Sequence, residues 1–461
     1  MPLLSSRFVS RRFFVSGGVA LTISLMRPAM AQTPASRPAA TRQHVLRASR
    51  GDALLRGAKK ERTAVWCYDG VIPGPTLRAR RGREMSVRLV NELPEPTTIH
   101  WHGIRLANAM DGTPYLNQPP VDSGAGFDYV FTPPDAGTFW YHPSQFFSVQ
   151  LERGLCGALI VEEDAPIDVD RDIILICDDW RLTVDGVIDE ANLPATPGVI
   201  PGGIGEHFTV NGSPAPDIAV RTNERLRLRI INAAHARVMS LRLERHSVTV
   251  VAFDGQPADP FVARDSRVLL APGNRVDLFV DTALAPGSTA ALILEENSRD
   301  ITMARLAYES SDMVRPRRRD DIGPLPANPL PQRMDFRNAL RIDHSLGDSL
   351  AAVSPVWARI GKADDRLGGR PLFSVKRGRT VMLALPNRTT RHYAMHVHGH
   401  HFRLLDNLDD GWKPYWLDTV LIPARATARV AFVADNPGKW MIYCQPIESH
   451  ASGMAAWFEV A

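Results

Sequence analysis

Three segments of the chain keep one spacing. Gly82 stands nine residues before Asn91, and Asn91 nine before the first histidine of "HWH" at 100 to 102. Gly378, Asn387 and the "HVH" of 396 to 398 repeat those steps, and between them Asn223, Asn232 and the "LRL" of 241 to 243 repeat them again. One structural unit therefore occurs three times, with His-x-His in the outer copies and Leu-x-Leu in the middle one. A second landmark agrees, since Gly137 precedes His142 by five residues and Gly438 precedes Tyr443 by five. The unit is built of strands: short alternating runs such as "EMSVRLVN", "RLRLRIIN" and "RVDLFVD" are punctuated by Gly and Pro, while helical periodicity is scarce. The expected fold is all-β, three Greek-key β-sandwich domains at 32–165, 166–310 and 334–461, with a Pro-rich linker at 311–333. A length of 461 residues suits that number at roughly 150 residues per domain.

Residues 1–31 read as an export signal rather than as part of the fold. They carry Arg11 and Arg12, then a weakly apolar stretch broken by Gly17 and Gly18, then a small-x-small ending at Ala29 and Ala31. The apolar run is shorter than the roughly 20 residues that span a bilayer, so no membrane span is expected once the segment is removed. "SRRFFV" resembles the twin-arginine signal, which implies a periplasmic address. The segment holds four arginines and no acidic residue, so its removal takes the formal charge from +4 to 0, and the sequence pI of 8.9 gives no case for a nucleic-acid partner. "RPRRRDD" at 315–321 reads as solvated linker. The four cysteines form no close pair, and Cys67, Cys156 and Cys177 read as small buried residues.

The histidine pairs carry the chemistry. Residues two apart on a strand point to one face, so His100 with His102, and His396 with His398, each aim two imidazoles in one direction. Imidazole suits copper, and the pattern recurs at equivalent places in two repeats. Isolated histidines such as His246 and His344 read as structural.

At these residues, and at "TTIHWHGIRLANAMDGTP", "FTPPDAGTFWYHPS", "MHVHGHHF" and "NPGKW…C…GM", the chain resembles the multicopper oxidases, the laccase-like family of three cupredoxin domains. The resemblance implies that a type 1 copper takes electrons from a small-molecule reductant and that a trinuclear cluster between domains one and three reduces dioxygen to water. Carried over by position, His100 and His396 match the type 2 ligands, and His102, His142 and His398 match three of the type 3 ligands. Cys444 and Met454 match the type 1 thiolate and axial thioether, and Asp111 the carboxylate that helps move protons. Five ligand positions differ: Ser144, Tyr443 and Gln445 stand at type 3 positions, Tyr393 and Ser449 at type 1 positions. His392 and His450 flank the lost type 1 positions; a one-residue slip turns a strand side chain to the opposite face, so His392 would need a bulge to reach copper. The reading is a divergent copper-binding oxidoreductase with a type 2 and partial type 3 remnant, an unmetallated Cys444 facing the groove between the outer domains, and weak or absent laccase activity. Two alternatives stand beside it: a non-catalytic envelope protein with a protein partner, as in the family's cell-division relative, and a periplasmic copper carrier. No Met-rich segment among the 13 methionines suggests a cuprous-ion specialist.

Overall fold

The computed structural model describes residues 43–144, 147–189, 204–296, 299–309, 313–317, 321–346, 358–359, 370–405, 415–446 and 454–461. The proposed signal, Ser449 and His450 lie outside them. Among the described residues the strands form six sheets that pair into three sandwiches. In the first, a four-stranded sheet holding His44–Ala53, Thr63–Tyr68, Met85–Asn91 and Gly126–Phe131 faces another holding Gly74–Arg80, Gly157–Glu162, Gly137–His142 and His100–His102. The middle sandwich packs a six-stranded on a five-stranded sheet around a core that includes Leu228, Ile230, Leu241 and Leu278. The last packs a four-stranded on a six-stranded sheet, the latter carrying Tyr393–Val397 between Thr419–Ile422 and Gly438–Pro446. The cores of the first and last sandwiches are continuous, running from Leu46 and Trp101 to Phe432 and Cys444. No helix among the described residues is long and apolar enough to cross a membrane.

The repeated spacing has a physical basis in all three copies. Its first position is a turn in the left-handed region, at Gly82 (φ +69°), Asn223 (φ +62°) and Gly378 (φ +83°). Glycine takes that conformation freely and asparagine better than most residues. Its second position is a buried asparagine that organises the loop after the strand. Asn91 donates its amide to the carbonyls of Glu95 and Val121 and accepts the Leu93 N–H. Asn232 does the same with Arg237, Leu270 and Ala234, and Asn387 with Arg391, Pro423 and Thr389. An aspartate could not donate these bonds, and a leucine would leave the carbonyls unpaired.

At the third position the copies diverge. In the outer domains the residues between the histidines, Trp101 and Val397, fill the core, so the histidines point out of the sandwich. In the middle domain Leu241 and Leu243 themselves fill the core, and Arg242 points outward to Glu295 and Asp300. Leu-x-Leu thus matches His-x-His in count but has the opposite facing, because the loop after Asn232 delivers its strand one residue out of phase.

Candidate metal centre

Five histidines converge where the first and last sandwiches meet. His100 lies opposite His142 in the antiparallel pair of His100–His102 with Gly137–His142, and His396 lies opposite both Tyr443 and Thr419 on its two neighbouring strands. Trp101 locks the first pair by packing edge-on against Tyr129, with its own ring in the core. His100, His102, His142, His396 and His398 are all buried. His100 stacks on His398 with ring centres 3.7 Å apart, and His102 on His396 at 3.6 Å.

Acceptor-only oxygens decide which nitrogen of each ring carries the proton. His100 Nδ1 donates to the Asp111 carbonyl (2.9 Å), His142 Nδ1 to the Pro143 carbonyl (2.8 Å) and His396 Nδ1 to the Asp418 carbonyl (2.9 Å). His398 Nδ1 donates to the Asp111 carboxylate at 2.9 Å. His102 is reversed: its Nε2 lies 3.1 Å from Thr419 Oγ1 and 3.3 Å from Asp418 Oδ1. Every ring therefore keeps one bare nitrogen, and four of these face one another in two pairs, His100 Nε2 and His396 Nε2 at 3.4 Å, His102 Nδ1 and His142 Nε2 at 3.1 Å. His398 Nε2 is buried and has no hydrogen-bond partner among the described residues. Two opposed lone pairs in a buried site repel unless a cation lies between them, so the donor set fits a metal that prefers imidazole.

Electrostatics keep the rings in the ligating form. Burial pushes the imidazolium pKa of His396 down to about 4 and of His398 to about 3, and His102 and His142 well below the usual value, so all four are neutral at neutral pH. Asp111 is the opposite case. Burial works against its charge, but the His398 and His100 rings outweigh it and hold the carboxyl well below its usual range, and Thr113 Oγ1 donates to it at 2.6 Å.

Sequence reading missed Asp418, which lies 3.3 Å from His102 and from His396 and 3.5 Å from His401. It is itself gripped by Arg275 of the middle domain. Its only sequence signal is position, between the "HVH" strand and the cysteine strand. The middle domain, which has Leu-x-Leu where the outer domains have His-x-His, thus reaches the centre through Arg275.

The substituted positions look different. Tyr443 presents its ring edge-on to His396 and His398, with centres 5.5 and 5.9 Å away, and burial holds its phenol neutral by raising its pKa. A cavity of about 10 Å³, room for about one water, lies beside it, lined by His396, Thr419, Trp140 and His235 among others. Ser144 is buried, its N–H donating to Thr98 Oγ1 at 3.3 Å.

Cys444 takes the other face of its strand. Met441 and Tyr443 pack toward Trp140 and Leu151 of the first domain, whereas Trp440, Ile442 and Cys444 belong to the sandwich interior with Met454, Met395 and Tyr393. The expectation that Cys444 faces the groove is therefore corrected: strand alternation assigns the groove to Tyr443. Cys444 is fully buried and its thiol is pushed up by that burial. His392, one residue from the vacated type 1 position, is exposed and accepts the Ala424 N–H at 3.4 Å. Among the described residues, no metal-holding group includes Cys444, and Cys444, Met454 and a phenol do not fit a copper site that needs two imidazoles.

Three sequence profiles of the multicopper oxidases match the chain, at residues 53–166, 172–301 and 345–461, one to each sandwich. The chain belongs to the multicopper oxidase family, and its sandwiches are cupredoxin-like. It is 34% identical to a multi-copper oxidase from Pseudomonas thermotolerans whose crystal structure superposes with a TM-score of 0.80, covering 92% of this chain and 100% of that one. A multicopper oxidase of Mycobacterium tuberculosis is 28% identical over 437 residues, 84% of this chain and 81% of the relative. Laccase-2 of Fomitopsis schrenkii is 27% identical over 445 residues, 82% of each.

Proposed function

We propose that this protein holds copper at the histidine centre, has lost the electron-accepting type 1 site, and is in consequence a weak or inactive laccase working in the periplasm. The observation that carries this reading is the contrast between five buried imidazoles, four with bare nitrogens facing in two pairs, and a thiol sealed in apolar core. His100 and His396 would hold a type 2-like copper, with His102, His142 and His398 as the incomplete type 3 set. Copper bound there supplies a redox-active Lewis acid. The chain's own residues orient it: the Asp111, Asp418 and Pro143 carbonyls fix three rings, and the Asp111 carboxylate holds His398 and can pass a proton at Oδ1 or Oδ2. Family members use dioxygen and a reductant. Here the route from reductant would begin at Cys444, whose donor set does not fit copper.

The test is copper content and electron paramagnetic resonance on protein loaded with Cu(II). A type 2-like signal without the intense blue band of thiolate-bound copper is expected. Unchanged copper content after His100→Ala with His396→Ala, or a blue band and rapid phenol oxidation by the unmodified protein, would overturn the reading.

A further inference from the structure

All three domains meet at one guanidinium. Arg275 opens the strand Arg275–Asp281 of the middle sandwich and is fully buried. Its Nη1 and Nη2 donate to the two carboxylate oxygens of Asp418 in the last domain, at 2.8 and 2.6 Å. Its Nε donates to the Thr138 carbonyl of the first domain at 3.2 Å, and Nη1 also to the Gly273 carbonyl at 3.0 Å. A fork held at this many points cannot rotate, and neither can the carboxylate it grips.

The gripped carboxylate reaches ligands from both outer domains. Asp418 Oδ1 lies 3.3 Å from His102 Nε2 and 3.3 Å from His396 Nδ1, and accepts the Thr419 hydroxyl at 2.8 Å. Asp254, also from the middle domain, accepts the backbone N–H groups of Asp418 and Thr419 at 3.1 and 3.2 Å, which fixes the main chain beneath the carboxylate. The surrounding backbone packs closely against this network. A Cβ on Gly103, next to His102, would fall 2.3 Å from Arg275 Nη2 and 2.5 Å from Asp418 Oδ2, and one on Gly273 would fall 2.9 Å from His102 Cε1. Both glycines sit at positive φ, +87° and +85°.

We propose that Arg275 is a positioning residue for the histidine centre: by clamping Asp418 it sets the ring orientation and tautomer of His102 and His396, so the middle domain, which contributes no ligand, governs how well the outer domains bind metal. The consequence is sharpest at His102. Its Nε2–H is held by Asp418 and Thr419, which leaves Nδ1 as the bare nitrogen facing His142. With the clamp loosened, either tautomer of His102 becomes available, and in one of them the nitrogen that faces His142 carries a proton and cannot ligate. The metal part of this proposal rests on the copper reading above; the tautomer part does not.

Two readouts keep those parts separate, applied to Arg275→Gln, to Arg275→Lys, which keeps the charge but loses the fork, and to Asp418→Asn. Arg225→Gln is the control, because Arg225 is a buried arginine of the same sheet whose guanidinium is bidentate to Asp281 at 2.7 and 2.9 Å and also donates to the Asp321 carbonyl. In metal-free protein, nitrogen-15 spectra of labelled histidine should show His102 as a single Nε2–H tautomer in wild type and control, and as a mixture in the Arg275 variants. Copper dissociation constants, measured by chelator competition, should weaken about 10- to 100-fold in those variants, the range for lost outer-sphere partners, and stay within about twofold in the control even if its Tm falls. Should Arg275→Gln fail to fold, Arg275→Lys and Asp418→Asn decide the matter. A folded Arg275→Lys with the wild-type tautomer and wild-type copper affinity overturns the proposal. A wild type that binds no copper overturns the copper reading instead, and the tautomer spectra then decide the role of Arg275.

Discussion

The strand Gly438–Pro446 has two faces with different fates. Toward the first domain, Tyr443 looks onto a centre where five imidazoles remain in place; toward the sandwich interior, Cys444 lies among Met395, Met454 and Tyr393. The interior residues need no metal. A thiol, a thioether and an aromatic ring are ordinary core groups, and burying them is favourable by itself. The imidazoles cannot relax in that way, because facing lone pairs and the bare His398 Nε2 are buried polar groups that cost free energy without a cation. On the copper reading proposed above, a type 1 site can therefore dissolve into hydrophobic core while the neighbouring centre stays built for metal, and the one-residue alternation of the strand keeps the two independent.

The largest expected effect breaks the polar side of this contrast. His100→Ala with His396→Ala should remove most of the bound copper, read by metal analysis on folded protein. Next, Tyr393→His together with Ser449→His should convert the interior face into a blue thiolate–copper site, visible by absorption. Oxygen consumption should stay slow, since Ser144, Tyr443 and Gln445 still leave the type 3 set short of ligands. A double variant that stays colourless after copper loading would show that Cys444 itself is misplaced for copper.

Acid should separate the two faces as well. In metal-free protein His396 titrates at about 4 and His398 at about 3, against 6.5 in the unfolded chain. Between those values the unfolded chain binds the extra protons. The stability contribution is full above about pH 6.5 and is lost as pH falls through 4 and toward 3, with a slope of about 1.4 kcal/mol per pH unit for each proton. Denaturant melts across that range should show the fall, and Cu(II) should blunt it. A flat profile for the metal-free protein would mean that the imidazoles are not held neutral. The smallest effect belongs to Cys444→Ala, which should cost about 1 kcal/mol of stability and leave copper content unchanged; a loss of copper would place the thiol in the metal site after all.

Local physics made much of this readable from residues alone. A strand alternates every two residues, so "HWH" and "HVH" had to present paired imidazoles. The nine-residue steps mark a left-handed turn and a buried asparagine whose jobs are done within about 40 residues of chain. The same alternation, applied to "MIYCQ", puts Tyr443 and Cys444 on opposite faces, but counting alone does not say which face of that strand meets the neighbouring domain. The middle copy misled for the same reason, since Leu241 fits the count and not the phase.

The sequence by itself determined the three β units, the family, and which imidazoles share a strand face, because each depends on spacing along a short stretch. Only the tertiary structure decided that Cys444 is sealed in the interior, that His392 is exposed, and that Arg275 clamps Asp418 across 143 residues. A buried ion pair between domains leaves no periodic trace: it needs one charged residue on each side, brought together only after the sandwiches have packed and water has been excluded from between them.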